Sequence, residues 1–187
     1  MAVTATCPEL KDLLAANDCL ENFAGLGVNV YVFIKSDLKA PLAPTKENEY
    51  AALSTESFNT GKGLYKFECK ENSQGFSYES RGPKNGFKQQ VDFVLEAVNA
   101  ESARVGRALN NLDCGFILQD GDNNIIVYDS KHKFEFASGG IKGDTGKKAD
   151  DERSVTCSGS LQPTVYGYYN IPTPESGWDS LLATKKE

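Results

Sequence analysis

The sequence predicts a mainly β protein: an antiparallel β-sandwich or barrel of about eight strands, with one flanking helix and an amino-terminal helix. Most apolar stretches are short and rich in β-branched and aromatic residues, which favour strands. Turn-forming stretches rich in Gly, Asn and Asp separate these strands, as in hairpins. Helical periodicity is confined to two segments, without the regular strand–helix alternation of a parallel α/β sheet.

A buried strand is predicted at residues 28–34, Val-Asn-Val-Tyr-Val-Phe-Ile, which are dense in β-branched and aromatic side chains. Residues 64–69 and 76–80 each alternate between the two faces of a strand, on either side of the turn-forming residues 72–75. That spacing predicts a hairpin in which these two strands pair with each other.

A long strand is predicted at residues 87–95, after a second turn at 81–86. One face of this strand is formed by alternate side chains: Phe87, Gln89, Val91, Phe93 and Leu95. The sequence predicts five further strands, at 115–119, 123–129, 133–137, 155–160 and 164–169, with a tight turn at 120–123 joining the first two.

An amino-terminal helix is predicted at residues 7–20. Pro8 suits the first turn of a helix, where its missing N–H costs nothing. Leu10, Leu13 and Leu14 then follow helical spacing, so the helix is amphipathic.

A second helix is predicted at residues 99–111, with Asn99 as its N-cap. Gly106 in its middle costs about 1 kcal/mol relative to Ala, so we expect a neighbouring element to pack closely there. The predicted apolar stripe contains Ala103 or Val105, Ala108, Leu109 and Leu112.

The chain is predicted to be a single domain over residues 1–187, with two long loops and a tail. Residues 35–62 lose any periodicity, so we expect a long excursion with one helical turn near 48–53. Residues 138–152 are rich in Gly, Lys and Asp and predict a polar loop. Residues 170–187 are interpreted as a carboxy-terminal tail.

Charge and cysteine content argue against several classes of function. Acidic residues outnumber basic ones by 26 to 20, whereas proteins that grip nucleic acid through its phosphates are usually basic. The sequence has no apolar run of membrane-spanning length and no secretory signal pattern, so we expect no membrane partner and synthesis in the cytoplasm. The five cysteines are widely spaced, which predicts buried structural thiols in a reducing compartment.

The residues that could carry chemistry do not form a recognisable site. His132, the only histidine, stands between two lysines and is expected at the surface. Zinc needs convergent Cys and His side chains, usually in closely spaced pairs, which the sequence does not offer. Asp120, Asp122 and Asn124 resemble the first ligands of a calcium loop, but Ile125 occupies the required Gly position. A hairpin turn is therefore predicted there.

Two further patterns also fail as functional motifs. Residues 143–148 look like a phosphate-binding loop, but Ile141 and Lys148 stand where Gly and Ser or Thr are required. The consecutive carboxylates at 150–152 diverge from one another, which is typical of a solvated loop. We therefore predict no catalytic residue, no cofactor and no metal, and a protein that is not an enzyme.

The order of elements from Phe87 onward carries a resemblance. A long strand is followed by a helix and then by a hairpin, Phe116-Ile-Leu-Gln-Asp-Gly-Asp-Asn-Asn-Ile-Ile-Val127. Next comes a strand that ends in a Gly-rich stretch. Two short motifs follow it, Thr145-Gly-Lys-Lys-Ala-Asp150 and Ser154-Val-Thr-Cys-Ser-Gly159, ahead of Pro163. This order resembles the tail tube proteins of long-tailed phages, especially those of gut Bacteroidetes phages and prophages. In that family a Thr-Gly…Ala-Asp stretch precedes a strand ending in Gly. The resemblance covers residues 75–168, and the first 70 residues depart from it.

The resemblance implies a structural virion protein, a subunit of the phage tail. Such subunits form hexameric rings whose inner sheets join edge to edge into a β-barrel, and the rings stack into a tube that DNA passes through as cargo. The implied partners are other copies of the chain and other tail proteins. The implied location is the virion tail, after synthesis in the bacterial host cytoplasm.

We expect the loop 138–152, the excursion 35–62 and the carboxy-terminal tail to make the contacts between subunits. A polar loop of low complexity that is disordered in a free subunit can become ordered on stacking. The candidate assembly residues are Gly143, Thr145, Gly146, Lys147, Asp150 and Trp178.

Two other classes stay open on sequence alone. The first is another virion part on a similar sandwich, such as a tail-completion, head–tail connector or decoration protein. The second is a monomeric β-barrel that binds a small ligand, which would need a continuous apolar interior.

Overall fold

The computed structural model describes residues 26–96, 98–120, 123–147 and 151–184, and within these ranges the chain is mainly β, with two sheets and one α-helix. The helix predicted at 7–20 lies outside the described residues. The strands are β1 (Asn29–Ile34), β2 (Pro44–Lys46), β3 (Glu49–Tyr50), β4 (Tyr65–Glu68), β5 (Gly75–Ser80), β6 (Phe87–Glu96), β7 (Cys114–Asp120), β8 (Asn123–Val127), β9 (Phe134–Asp144), β10 (Ser154–Thr164) and β11 (Asn170–Ile171), and the helix α1 is Ala100–Asn111.

The larger sheet has seven strands in the order β2-β3-β11-β8-β7-β1-β4, and the smaller has four in the order β5-β6-β10-β9. Neighbouring strands are antiparallel, except that β11 pairs in parallel with β3 at Asn170 and Glu49. The predicted antiparallel, mainly β class is confirmed, and the two sheets are arranged as a sandwich. More strands form than predicted because β2, β3 and β11 are only two or three residues long.

Aromatic rings fill the space between the two sheets. Phe116 on β7 is fully buried, and its ring centroid lies 6.1 Å from that of Phe93 on β6 and 4.5 Å from that of Phe134 on β9. Cys69 and Cys157 lie in the same cluster. We call this cluster the inter-sheet core. Burial of this apolar surface is the main favourable term that holds the sheets together.

The other face of the seven-stranded sheet is covered by two segments of the same chain, 35–62 and 166–182. Tyr31 and Phe33 of β1 are buried on this face beneath them. We call this second cluster the outer core; it also contains Leu38, Tyr50, Leu53, Phe58, Leu64, Ile117, Ile126, Tyr128, Tyr169, Ile171, Trp178 and Leu181. The seven-stranded sheet is therefore buried on both faces.

The expected excursion at 35–62 carries short ordered elements. Besides β2 and β3 it has 3₁₀ turns at Lys35–Asp37 and Thr55–Ser57. The helical turn predicted near 48–53 is wrong, since Tyr50 is part of β3 there. Tyr50 adopts this extended backbone while its ring is buried against Tyr128 and Tyr169, with centroids 6.1 and 5.5 Å away.

The hairpin predicted between 64–69 and 76–80 is also wrong. β4 pairs with β1 in the larger sheet, whereas β5 pairs with β6 in the smaller one. The chain crosses between the sheets after β4, where the Lys70 N–H donates to the Val94 carbonyl at 2.8 Å. Alternation predicts that a segment is a strand, but it does not identify the partner strand.

The helix α1 begins as predicted. The Asn99 side chain accepts a hydrogen bond from the Ser102 N–H at 2.8 Å, which satisfies one of the free N–H groups of the first turn. The close approach expected at Gly106 is confirmed, since a Cβ there would lie 3.2 Å from Cγ2 of Ile141 on β9. α1 therefore packs against an edge strand of the four-stranded sheet.

The buried stripe of α1 is narrower than predicted. Leu109 is buried and Val105 is half-buried, but Ala103, Ala108 and Leu112 are exposed. The helix contacts the sandwich along one side only, so the wider predicted stripe extends into solvent.

The loop predicted at 138–152 is partly a strand, because β9 continues to Asp144 and pairs with β10 as far as Ser154. The polar composition of this segment did not indicate a strand, because an edge strand with one solvent-facing side needs few apolar residues. The strand predicted at 164–169 is wrong after Thr164, where β10 ends. Gly167 there packs under the ring of Tyr78, and a Cβ at Gly167 would lie 2.2 Å from that ring.

Candidate assembly surface

The four-stranded sheet turns one face to the inter-sheet core and the other to solvent. Gln89, Val91 and Phe93 on β6 are buried, so the alternate side chains of β6 point away from the core. The register of the other three strands against β6 identifies which of their residues share that outer face. The paired residues of this face, here called the outer face, are Gly75, Val94, Ser77, Glu79, Lys88, Gln90, Asp92, Glu96, Glu135, Lys142, Asp144, Ser154, Thr156, Ser158 and Ser160.

The outer face is polar and carries a net negative charge, since five carboxylates oppose two lysines. Lys88 lies 3.2 Å from Glu79, and Lys142 lies 3.7 Å from Asp144, so both lysines are next to carboxylates of the same face. The Gln90 amide donates to Asp92 at 3.0 Å. The electrostatic potential of this face is therefore negative, which disfavours tight contact with a polyanion.

The four-stranded sheet ends in two edge strands that no other described strand pairs with. β5 is six residues long and pairs only with β6, and β9 is eleven residues long and pairs only with β10, among the residues that the structure describes. An edge strand presents a row of backbone donors and acceptors that can pair with another chain. Within the described ranges, both edges of this sheet therefore present backbone groups that another strand could pair with.

The direction of the free groups on β5 follows from its hairpin with β6. The Arg81 N–H donates to the Gly86 carbonyl at 3.0 Å, and the register of β5 with β6 is unbroken. Since N–H groups alternate in direction along a strand, those of Phe76, Tyr78 and Ser80 point away from β6. These three residues carry the outward hydrogen-bonding groups of the β5 edge.

The β9 edge is interrupted by a bulge. Phe136 pairs with Gly159 and Ile141 pairs with Cys157, so residues 137–140 stand opposite Ser158 alone. Gly139 has φ +79°, a conformation that glycine adopts without strain. The bulge divides the β9 edge into two short pairing segments, 134–136 and 141–144.

The candidate residues predicted in the 138–152 loop lie at the far end of the β9 edge. Gly143 is in β9, and Thr145, Gly146 and Lys147 form the turn that follows it. The Gly146 N–H donates to Asp144 at 3.0 Å and the Lys147 N–H donates to Asp151 at 2.7 Å, so carboxylates hold this turn. Asp150 lies outside the described residues.

Trp178 lies inside its own chain. Its side chain is 4% exposed, and its ring centroid is 5.7 Å from that of Tyr31 in the outer core. The adjacent Asp179 accepts a hydrogen bond from the Tyr31 hydroxyl at 3.0 Å. Trp178 therefore holds the carboxy-terminal segment against the seven-stranded sheet, and its predicted contact with a neighbouring subunit stays a prediction.

The described thiols, Cys69, Cys114 and Cys157, are buried, as predicted. Burial raises the pKa of Cys69 and of Cys114 to about 11, and that of Cys157 to about 12. A thiol of this pKa is protonated at neutral pH and is a poor nucleophile. Cys7 and Cys19 lie outside the described residues.

His132 lies in a turn capped by a carboxylate. Its Nδ1 is 2.9 Å from the Asp129 carboxylate, which also accepts the backbone N–H groups of Lys131 and His132 at 2.8 Å each. In the part of the chain that the structure describes, no three His, Cys, Asp or Glu side chains come together as metal ligands would. Within the same residues, none of the helices has the length and apolar character needed to cross a bilayer.

Comparisons with models of protein families, with curated proteins and with solved structures found no match for this chain. Function is therefore inferred from the geometry of the surface and from the resemblance over residues 75–168. The sequence prediction expected sheets that join edge to edge, but it did not identify the outer face or the two strands that form the edges. The alternation of Lys88, Gln90 and Asp92 with buried neighbours was the signal that could have identified the outer face.

Proposed function

We propose that this chain is a subunit of a phage-type tail tube, which assembles into stacked rings around a channel that conducts DNA. The observation that carries the proposal is the four-stranded sheet, with its polar acidic outer face and two unpaired edges. All four of its strands lie within residues 75–168, where the sequence resembles tail tube proteins.

The two free edges support a head-to-tail ring. β5 of one copy can pair with β9 of the next, and this contact leaves the opposite edge of each copy free for a further copy. A contact of this heterologous type closes into a ring when the rotation between copies allows it. The resemblance implies six copies, whose four-stranded sheets would join into one continuous barrel.

The charge of the outer face supports its assignment as the channel lining. A negative surface repels the phosphates of DNA, so it does not hold DNA at fixed positions. The alternating Ser, Thr and Gln side chains of β6 and β10 keep this face hydrated without a large apolar patch. A passing polyanion would meet few attachment points on such a wall.

The filled interior argues against the monomeric ligand-binding barrel. Phe93, Phe116 and Phe134 occupy the space between the sheets that such a barrel would leave for its ligand. The other virion parts, connector and decoration proteins, differ from a tube subunit in whether they close into rings and whether the rings stack.

Negative-stain electron microscopy of the purified chain across a concentration series tests the proposal. We expect rings with a central opening, and at higher concentration tubes formed by stacked rings. Rings that never stack would favour a connector. A chain that stays monomeric at every concentration would sink the proposed function.

A further inference from the structure

A second feature of the four-stranded sheet is a groove beside β5. It has a volume of about 440 Å³ and lies between β5 and residues Asp120 of β7 and Ile125 of β8 in the larger sheet. Its apolar lining comes from Leu26, Phe76, Tyr78, Ile125 and Tyr168. Tyr78 is 54% exposed, and Leu26, Phe76 and Tyr168 are only half-buried. We call this feature the β5 groove.

The opposite flank of the same sheet carries a helix. α1 packs on β9 through Gly106 and Ile141, and Leu109 of α1 belongs to the inter-sheet core. β5 and β9 are the two edge strands of the sheet. The described helix therefore packs on the β9 flank of the sandwich, and the β5 groove lies on the other flank.

The chain itself leads into the β5 groove. Leu26, the first described residue, lines the groove, and the Gly27 N–H fixes this point by donating to the Gln119 carbonyl at 2.7 Å. Twenty-five residues precede Leu26. Among them, residues 7–20 predict an amphipathic helix with Leu10, Leu13 and Leu14 on one side. A connection of five residues, 21–25, joins that helix to the rim of the groove.

We propose that residues 7–20 of the same chain dock as a helix in the β5 groove, with their leucines over Phe76, Tyr78 and Tyr168. Docking in the same chain is favoured because a short connection gives the segment a high effective concentration at the groove. The helix would contact side chains on the core-facing side of β5, so the outward backbone edge stays free. The inference holds for a single copy and does not depend on tube assembly.

Hydrogen–deuterium exchange, measured by mass spectrometry on the monomeric fraction, tests this docking. We expect amides of residues 10–20 to exchange about ten-fold or more slowly than in a synthetic peptide of residues 1–25. Leu13→Asp should remove this protection. Tyr78→Asp, which changes the groove, should remove the protection of residues 10–20 as well.

Leu112→Asp is the matched control, since Leu112 is 42% exposed at the end of α1, away from the groove, and should leave the protection unchanged. Circular dichroism identifies any variant that unfolds; Leu13→Asp then decides, because residue 13 lies outside the described fold. Exchange of residues 10–20 at the peptide rate would overturn the proposal. Protection that rises with protein concentration would also overturn it, since the segment would then come from a second copy.

Discussion

The two sheets of this protein differ in how they end. The seven-stranded sheet is buried on both faces, and its edges are short: β2 starts at Pro44, which has no N–H to donate, and Leu64, just before β4, is bridged by Leu182. The four-stranded sheet leaves one face in solvent and has edges of six and eleven residues. Natural proteins blunt the edges that must not pair. The contrast therefore favours the smaller sheet, and its unbroken edge β5 above all, as the place where another copy would pair.

The largest expected effect is on assembly. Tyr78→Pro removes an outward N–H from the β5 edge, so we expect it to abolish rings and tubes in electron micrographs while the monomer stays folded. Tyr78→Ala is the matched control, because it loses the same ring but keeps the N–H, and it should still assemble. Thr45→Pro, in the short edge strand β2, should also assemble. Tubes formed by Tyr78→Pro would contradict the role assigned to the β5 edge.

Next in size is the loss of stability when the inter-sheet core is truncated. Phe116→Ala should lower the free energy of unfolding by about 3–5 kcal/mol, because the ring contacts both sheets and its removal leaves a cavity. Urea denaturation followed by circular dichroism measures the change. Val165→Ala, at a side chain that is 71% exposed, serves as the control and should change the free energy by less than about 0.5 kcal/mol. Equal losses in the two variants would contradict this description of the core.

Alkaline pH should affect the inter-sheet core before the outer core. Burial raises the pKa of Cys69 to about 11 from 9.0, so its stabilising contribution is complete below pH 9 and is lost as pH rises through 11. Burial raises the pKa of Tyr31 in the outer core to about 12 from 10.0, so its loss begins one pH unit later. We expect the free energy of unfolding to decline above pH 9, by on the order of 3 kcal/mol per thiol.

The triple variant Cys69→Ala, Cys114→Ala and Cys157→Ala provides the control for this pH dependence. Because it lacks all three thiols of the inter-sheet core, its decline should begin near pH 10, when the tyrosines start to ionise in the unfolded chain. Urea denaturation at a series of pH values compares the two proteins. A decline from pH 9 that is identical in both would exclude the thiols as its source.

The smallest expected effects concern the ion pairs. Lys88→Ala on the outer face should lower the free energy of unfolding by less than about 1 kcal/mol, since its partner Glu79 is well exposed. Lys62→Ala should lower the free energy of unfolding by more, because its partner Asp37 is buried under the segment that covers the seven-stranded sheet. Thermal unfolding of the two variants gives the order. The reverse order would mean that Asp37 is well solvated.

Local signals in the sequence predict much of the fold. The alternation of residues 87–95, the N-cap Asn99 and the turn at 120–123 each specify an element through neighbours close in sequence. Pairing between distant strands leaves no such signal. The same alternation in 64–69 fits pairing with β1 as well as with β5, and only the shared core favours β1.

The candidate site was harder to predict than the fold. The predicted residues Gly143 to Lys147 lie at the end of the β9 edge, while the β5 edge was not singled out. An edge is defined by the absence of a partner, which depends on the topology of the whole sheet. Trp178 is buried against its own chain's Tyr31, a contact between residues far apart in sequence that no local pattern predicts.

The position of Trp178 also makes the protein its own optical probe. It is the only tryptophan in the chain, so all indole fluorescence originates where the carboxy-terminal segment meets the seven-stranded sheet. Detachment of that segment would shift the emission to longer wavelength while the circular dichroism of the β-sheets persisted. Unfolding of the whole sandwich would change both signals. Fluorescence and circular dichroism of the same sample can therefore show whether the carboxy-terminal segment detaches before the two sheets separate.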